Sequence, residues 1–355
     1  MDLLSPWRNP DPSPGHRERA ETSRRNQRSN QSLRRFSSLA LLYCAIGSAA
    51  LSLFPWPALG GELPGLANLN LYEQRDVWGL VTLVNAAAYQ IKRQGEKAFP
   101  AFREPGRWFD PKYGRYLFIF DLAGNQIVNP AFPEVEGINR LDWRDVWGKP
   151  VFQQAIDRLS PEGENRIRWW THYLWPRPGA SQPEWKSVYL VRARAPSGTY
   201  YIVASGLYGL APERTFVEQL VADAADLVAR QGSAAFAVIS SRDSPFVFGE
   251  VGVFVIDPKG IEHANSVFPD FIGRNLLDPT FPGHAEVRRQ LDFARDQGSG
   301  WIYSHWPGIE GELAIYLRRV EEGGHAWVLG SWMPRPPAKD QAWRQSLLPT
   351  VKFAP

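Results

Sequence analysis

Arg93-Gln94-Gly95-Glu96-Lys97-Ala98-Phe99 and Arg230-Gln231-Gly232-Ser233-Ala234-Ala235-Phe236 are two versions of one heptapeptide. The residues downstream of each copy repeat as well. Leu117-Phe118-Ile119-Phe120-Asp121 matches Val253-Phe254-Val255-Ile256-Asp257, and Gly124 falls opposite Gly260. Asn129, Phe132, Pro133, Gly137 and Asn139 fall opposite Asn265, Phe268, Pro269, Gly273 and Asn275. Trp170, Trp175 and Pro176 match Trp301, Trp306 and Pro307; Tyr189-Leu190 matches Tyr316-Leu317; Val203 and Ser205 fall opposite Val328 and Gly330. The offset drifts only from about 137 to about 125 residues, so loops changed length while the order of the core did not. The chain therefore holds two homologous modules, over 72–209 and 212–334.

Each module opens with a helix. Val77, Leu80, Val81, Val84, Ala88 and Ile91 recur at spacings of three and four, and Gly95 ends the run. Phe216, Leu220, Ala224, Leu227 and Val228 repeat the pattern up to Gly232, with Pro212 suited to the first turn. Strands come after the helix. Tyr116 to Asp121 and Val253 to Asp257 are aromatic and β-branched runs closed by Asp-x-x-Gly turns, which makes each a hairpin. A short helix comes next (Val151 to Leu159; Val287 to Ala294), then three more strands per module. They cover Arg166–Trp175, Trp185–Ala193 and Tyr200–Tyr208, with counterparts Gly300–Trp306, Glu312–Val320 and Ala326–Met333. A long helix against an antiparallel sheet of about five strands is an α+β architecture.

The order of these pieces resembles the Cache family, above all its single-Cache type, and the resemblance spans about 72–209 and 212–334. The residues that carry it are Phe118-Ile119-Phe120-Asp121, Asn129-Pro130, Pro133-Glu134-Val135-Glu136-Gly137, Tyr173-Leu174-Trp175-Pro176, Lys186, Tyr189 and Ser205-Gly206-Leu207-Tyr208. It implies PAS-like sheets and an extracytoplasmic sensor whose pocket binds a small metabolite, often a carboxylate or amine. Asn129 and Asn265 stand where many relatives have His.

Composition agrees with a globular, exported body. Of the 355 residues 44% are hydrophobic and 22% charged. Residues 1–36 hold eight Arg and four acids, leaving 32 basic and 33 acidic residues over 37–355. The body is neutral, so the basic pI is no sign of nucleic-acid binding. Arg34-Arg35, the uncharged run Phe36–Phe54 and the small residues Ala58 and Gly60 read as a secretory signal within 1–60, giving a periplasmic or extracytoplasmic location. The alternatives are a membrane anchor over 36–54 and, more weakly, lipoprotein processing at Cys44. Cys44 is the sole cysteine, which excludes disulfides and thiolate metal sites in the body. Residues 335–355 read as an extended tail, and with no output domain in sequence the signal is expected to pass through a partner such as a membrane receptor or transporter.

The candidate site lies in module one. Period-two counting puts Lys186 on the face of Val188 and Leu190, where a cation either meets a ligand or reaches solvent. Tyr173 and Trp175 share a face with Trp169 and Thr171, while Trp170 and His172 take the other; these aromatics serve equally as core. Tyr116 and Asn129 are candidate donors, Asn129 equally a turn residue. The resemblance adds Tyr189 and Ser205. A small organic acid is the expected ligand, with Lys186 as its charge partner. In module two Gly252 replaces Tyr116, Ser304 replaces Tyr173 and Glu312 lies near the Lys186 position, so this copy is a structural partner or binds something else, such as a cation. Trp301, Tyr303, Trp306 and Tyr316 are read mainly as core, and His305 as a satisfied sheet histidine. No nucleophile elbow, phosphate loop, dinucleotide fingerprint or metal-ligand histidine spacing occurs, so no catalytic residue, cofactor or metal is expected. Glu134/Glu136 and Glu321/Glu322 read as solvated loop pairs. The rival reading is an envelope scaffold with non-functional pockets, in which Trp143, Trp147, Trp185 and Trp343 contact a partner.

Overall fold

The computed structural model describes residues 72–112, 114–307 and 309–335. The expectations for the leader or anchor in 1–60, for Trp343 and for the tail beyond Arg335 lie outside the described residues. Among the described residues no helix is long and apolar enough to cross a membrane.

Helix α1 (Arg75–Gln94) carries Asp76 in its first turn and Lys92 and Arg93 in its last, charges that complement its dipole. It stops because Gly95 adopts φ +61°, where its N–H still reaches the Ile91 carbonyl. Gly232 repeats this at φ +57° after the equivalent helix α4 (Arg214–Gln231). A side chain would strain either position, which is why the Arg-Gln-Gly signature recurs. Helix α4 begins at Arg214, so Pro212 precedes it rather than entering its first turn.

Two features have no counterpart in the sequence reading. A 3-10 turn and a short helix come after each glycine, α2 (Phe99–Arg103) and α5 (Ala235–Ser240). A two-stranded hairpin then precedes each sheet: β1 (Phe109–Asp110) with β2 (Arg115–Tyr116) in the first module, and β8 (Val247–Phe248) with β9 (Val251–Gly252) in the second. The run expected as one strand from Tyr116 is therefore split at Leu117. The Tyr116 carbonyl accepts the Ser205 hydroxyl at 2.7 Å, a side-chain partner at the point where the strand breaks.

The first sheet holds β3 (Phe118–Asp121), β4 (Gln126–Val128), β5 (Arg168–Pro176), β6 (Pro183–Arg194) and β7 (Tyr200–Tyr208) in the order β4-β3-β7-β6-β5, all antiparallel. The second holds β10 (Phe254–Ile256), β11 (Glu262–Asn265), β12 (Ser299–Ser304), β13 (Leu313–Glu322) and β14 (His325–Pro334) in the matching order β11-β10-β14-β13-β12. The α+β class with two five-stranded sheets is as expected. Helices α3 (Val151–Leu159) and α6 (His284–Gln297) occupy the second short-helix position of each module.

The large core gathers α1, α4 and the helix-facing residues of both sheets, including Trp170, Tyr189, Phe216, Val255 and Leu329. A second cluster lies on the other face of the first sheet, under α3, and contains Tyr116, Phe118, Phe120, Phe152, Trp169 and Tyr173.

The modules meet along the open edge of β5. The Gln219 amide of α4 accepts the Trp170 N–H at 3.1 Å and donates to the Trp170 carbonyl at 2.8 Å, taking the place of a missing strand. Lys149, wholly buried, donates to the His172 carbonyl at 2.6 Å and to Val247 of the second module at 3.1 Å. Arg166 pairs with Asp223 of α4 at 2.5 Å, and the Trp169 indole donates to the same carboxylate at 3.1 Å.

Several loop expectations change. Glu136 is not a solvated acid: it binds Arg103 at 2.9 Å and accepts the Asn129 N–H at 2.6 Å. Trp147 and Trp185 pack edge-to-face at 5.1 Å and Trp143 lies 6.0 Å from Trp175; all three are partly buried. His305 comes after β12 and is exposed.

Candidate functional site

Lys186 is 1% exposed on the α3-facing side of the first sheet, near the start of β6. Its Cα partners are Tyr173 on β5 and Tyr208 on β7. The ammonium donates to the Tyr116 hydroxyl at 2.7 Å and lies 4.5 to 5.1 Å from the ring centres of Tyr116, Phe118 and Tyr208. Tyr116 is hydrogen-bonded in turn to Tyr208, whose hydroxyl donates to the Pro176 carbonyl at 2.8 Å. Among the described residues no carboxylate lies within ion-pair distance of Lys186. Ring quadrupoles offset part of the lost hydration, but burial still pulls the ammonium down to about 7. Burial also pushes the Tyr116 and Tyr173 hydroxyls well above their ordinary value, so both stay protonated donors.

Tyr116, Tyr173 and Lys186 thus come together on one face, and Trp175 joins them through Tyr173 at 5.9 Å. Trp169 and Thr171 share that face, and Trp170 and His172 the other, as period two requires. Asn129 sits in the turn after β4. Its backbone carbonyl holds the Phe132 N–H, and Phe132 packs on Tyr116 at 6.0 Å; its own Oδ1 is buried with no partner. Tyr189 and Ser205 do not belong to the cluster. They pair across β6 and β7 but on the helix-facing side, where Tyr189 packs 5.0 Å from Trp170 and Ser205 ties the Tyr116 carbonyl. Successive strand residues point to opposite faces, and these two have the wrong parity relative to Lys186.

One residue went unnoticed in the sequence. Arg140 is 2% exposed, with its guanidinium over the Trp143 ring and 5.8 Å from Phe152. Its Nε and Nη1 are buried and have no hydrogen-bond partner among the described residues. Burial lowers this guanidinium to about 9; Glu134, which is exposed, and Tyr173 work the other way. A cavity of about 10 Å³ lies between the sheet and α3, bounded by Phe118, Phe120, Val151, Phe152, Tyr173 and Val188 among others; neither Lys186 nor Arg140 lines it.

The second module shows what the site is without its chemistry. The Arg140 N–H binds the Gly124 carbonyl just as Leu276 binds Gly260, so Leu276 holds the place of Arg140. Leu313 pairs with Ser304 as Lys186 pairs with Tyr173, so Leu313, not Glu312, holds the place of Lys186. Glu312 lies just before β13 and is paired with Arg335, which removes it as a cation-binding candidate. The same ladders place Ser331 at the Ser205 position and Trp332 at that of Gly206, one residue from the sequence alignment. Both buried cations are leucines here, and Phe254, Phe271, Phe281 and Trp306 pack around Ile256, Leu276 and Val287. Among the described residues no group of His, Cys, Asp or Glu is placed to hold a metal ion.

Residues 106–206, which carry this cluster, match the family model of the Single Cache domain 2. This stretch is similar to that family. Cache domains are ligand-binding sensor domains. The methyl-accepting chemotaxis protein McpP of Pseudomonas putida is 30% identical over 105 residues, 30% of this chain and 18% of its own length. The chain thus matches about a fifth of that relative. Among solved structures, the periplasmic sensor domain of a chemotaxis protein is 26% identical over 36% of this chain and 85% of its own, at a TM-score of 0.29. A Cache chemosensory domain described for carboxylic acid recognition is 23% identical over 36% and 90%, at 0.30. The ligand-binding domain of the amino acid chemoreceptor PctB of Pseudomonas aeruginosa, in complex with L-Arg, is 14% identical over 76% and 90%, at 0.28.

Proposed function

We propose that the Cache domain of module one binds a small organic acid outside the cytoplasm and reports its presence through a partner, a membrane receptor or transporter. The observation that carries this reading is Lys186: a fully buried ammonium on a rigid sheet, bonded to a tyrosine hydroxyl and facing no carboxylate. A buried charge without a counter-ion is costly, and a carboxylate arriving there supplies the missing charge in a water-poor site. Tyr116, Tyr173 and Tyr208 offer hydroxyls, and Trp175 and Phe118 wall off solvent. Module two, with leucines at both cation positions, is its packing partner. The reading is non-enzymatic.

Isothermal calorimetry of the full chain against a panel of small carboxylates, amino acids and amines tests this. A carboxylate that binds wild type and loses at least about tenfold in affinity with Lys186→Met supports the proposal. Unchanged binding by Lys186→Met removes the charge assignment. The scaffold reading has one observation in its favour, a cavity of about 10 Å³, room for a single water. It prevails if nothing in the panel binds.

A further inference from the structure

The edge strand β12 of the second sheet repeats β5 of the first. The Arg319 N–H binds the Gly298 carbonyl at 2.7 Å as Arg192 binds Ile167 at 2.9 Å, and Ser304 pairs with Leu313 as Tyr173 pairs with Lys186. Trp301 therefore holds the place of Trp170, with its N–H and carbonyl turned away from the neighbouring strand. The next outward carbonyl is held by a cation in each module, His172 by Lys149 and Tyr303 by Arg289, both at 2.6 Å. At β5 the Gln219 amide binds both main-chain groups of Trp170. Among the described residues nothing at β12 takes the part of Gln219. The rings differ in the same way. Trp170, His172 and Tyr189 are buried, the first two with Phe216 of α4 packed 4.6 and 4.9 Å away. Their counterparts Trp301, Tyr303 and Tyr316 are only partly buried.

The chain that leaves β14 is in register to fill this gap. The Arg335 N–H binds the Glu312 carbonyl at 2.9 Å as Gly209 binds Trp185 at 3.0 Å, so Arg335 holds the place of Gly209. Its guanidinium already lies 4.4 Å from the Tyr303 ring of β12. From Gly209 the chain takes ten residues to reach Gln219, and ten residues beyond Arg335 stands Gln345. Trp343 and Leu347 fall at the places of Val217 and Val221, both wholly buried in α4. Residues 340–348 open on Asp340, contain no glycine or proline, and lie between Pro336-Pro337 and Pro349, the pattern of a short helix. Pro349 stands at the place of Asp223, so this helix stops where α4 continues.

We infer that residues 340–348 form a helix that closes the β12 edge of their own chain, with the Gln345 amide bonded to the Trp301 N–H and carbonyl. Trp343 and Leu347 cover the rings of Trp301, Tyr303 and Tyr316. An open strand edge beside aromatic surface invites pairing with other chains, and this segment removes it.

The test is amide hydrogen exchange, followed by NMR, in the full chain, in Gln345→Ala and in a chain ended after Pro337. The inference expects the Trp301 amide to exchange at least about tenfold faster in both variants than in wild type. The Trp170 amide should be unchanged, which marks an intact fold. Gln345→Ala alone carries the test if the shortened chain loses Trp170 protection as well. Equal exchange at Trp301 in all three chains overturns the inference and leaves the edge open or covered by residues before 72. Faster exchange in the shortened chain but not in Gln345→Ala overturns the register. Trp301 protection that falls when wild type is diluted overturns the assignment to the same chain and gives the cover to a second copy.

Discussion

Lys186 of β6 and Gly206 of β7 lie so close that a methyl group on Gly206 would stand 2.7 Å from the Lys186 Cε and 2.7 Å from Val188 Cγ2. The lysine stem occupies the space a side chain at 206 would fill, and in module two Trp332 stands at that position, opposite Ile315. Gly206→Ala should push the ammonium off the Tyr116 hydroxyl. We expect at least about tenfold weaker binding of the acid, with a stability loss of about 1–3 kcal/mol from overpacking. Calorimetry and thermal unfolding read the two effects separately; unchanged affinity would show that the Lys186 position is not needed for recognition.

The charge on Lys186 sets a pH dependence for binding. With the free-state ammonium at about 7, the binding-competent fraction falls as pH rises through neutrality. Apparent affinity for the acid should drop roughly 10–30-fold between pH 6 and 8.5 and level off below pH 6. The same depressed value makes the ligand-free protein bind fewer protons than the unfolded chain between about 7 and 10.5, so this group adds stability as pH rises across that window. Affinity that stays flat from pH 6 to 8.5 would mean that Lys186 is not the anion partner.

His172 has the same sign at lower pH. Buried on the helix-facing side, 4.2 Å from Phe248 and bonded to Ser187 at 2.9 Å, it is pulled down to about 3 by burial and by Lys149. The unfolded chain takes up a proton near 6.5 that the folded chain does not, so stability should fall as pH drops from 6.5 towards 3. The slope approaches about 1.4 kcal/mol per pH unit. Glu262 opposes it: burial raises this carboxyl to about 8, so its contribution falls as pH rises between 4.5 and 8. The clean measurement is therefore the difference in urea unfolding between wild type and His172→Phe. A difference that does not change across pH 4–6.5 would show that His172 titrates normally.

Gln219→Ala should strip the edge of β5. It leaves the Trp170 N–H and carbonyl without their amide partner, at a cost of about 1–3 kcal/mol. Because β5 also carries Tyr173, hydrogen exchange should quicken at the Trp170 amide and its neighbours in β5. Protection equal to wild type would mean that the strand edge is held by Lys149 and the Arg166–Asp223 pair alone.

Much of this architecture was legible because it is written twice. The Arg-Gln-Gly pair marks two helix ends where only glycine is comfortable, and period two put Tyr173 with Trp175 on one face of β5 and Lys186 with Val188 on one face of β6, while the register that joins the two faces came only with the structure. The same rule, applied to Tyr189 and Ser205, would have moved them to the other face; the family resemblance carried them in. The short hairpins β1–β2 and β8–β9 left no signal, since two-residue strands have no period. Glu312 was misassigned by a single residue, a slip that reverses the facing of every side chain in a strand.

Arg140 marks where sequence reading stops. In the chain it is one arginine among many, in a loop shortly before an aspartate and a tryptophan. Comparing the two modules, Asn139-Arg140 against Asn275-Leu276, gave the only hint, an apolar residue opposite a charged one. Local sequence, through periodicity, glycine geometry and turn chemistry, determined the helices, the strands and the facing of Lys186, because those are properties of a chain's nearest neighbours. Tertiary structure decided that Lys186 finds a tyrosine and no acid, that Arg140 is buried between Trp143 and Phe152, and that both places in module two are filled by leucine. Burial and charge pairing depend on what distant segments bring to a point in space, and no stretch of the chain records that by itself.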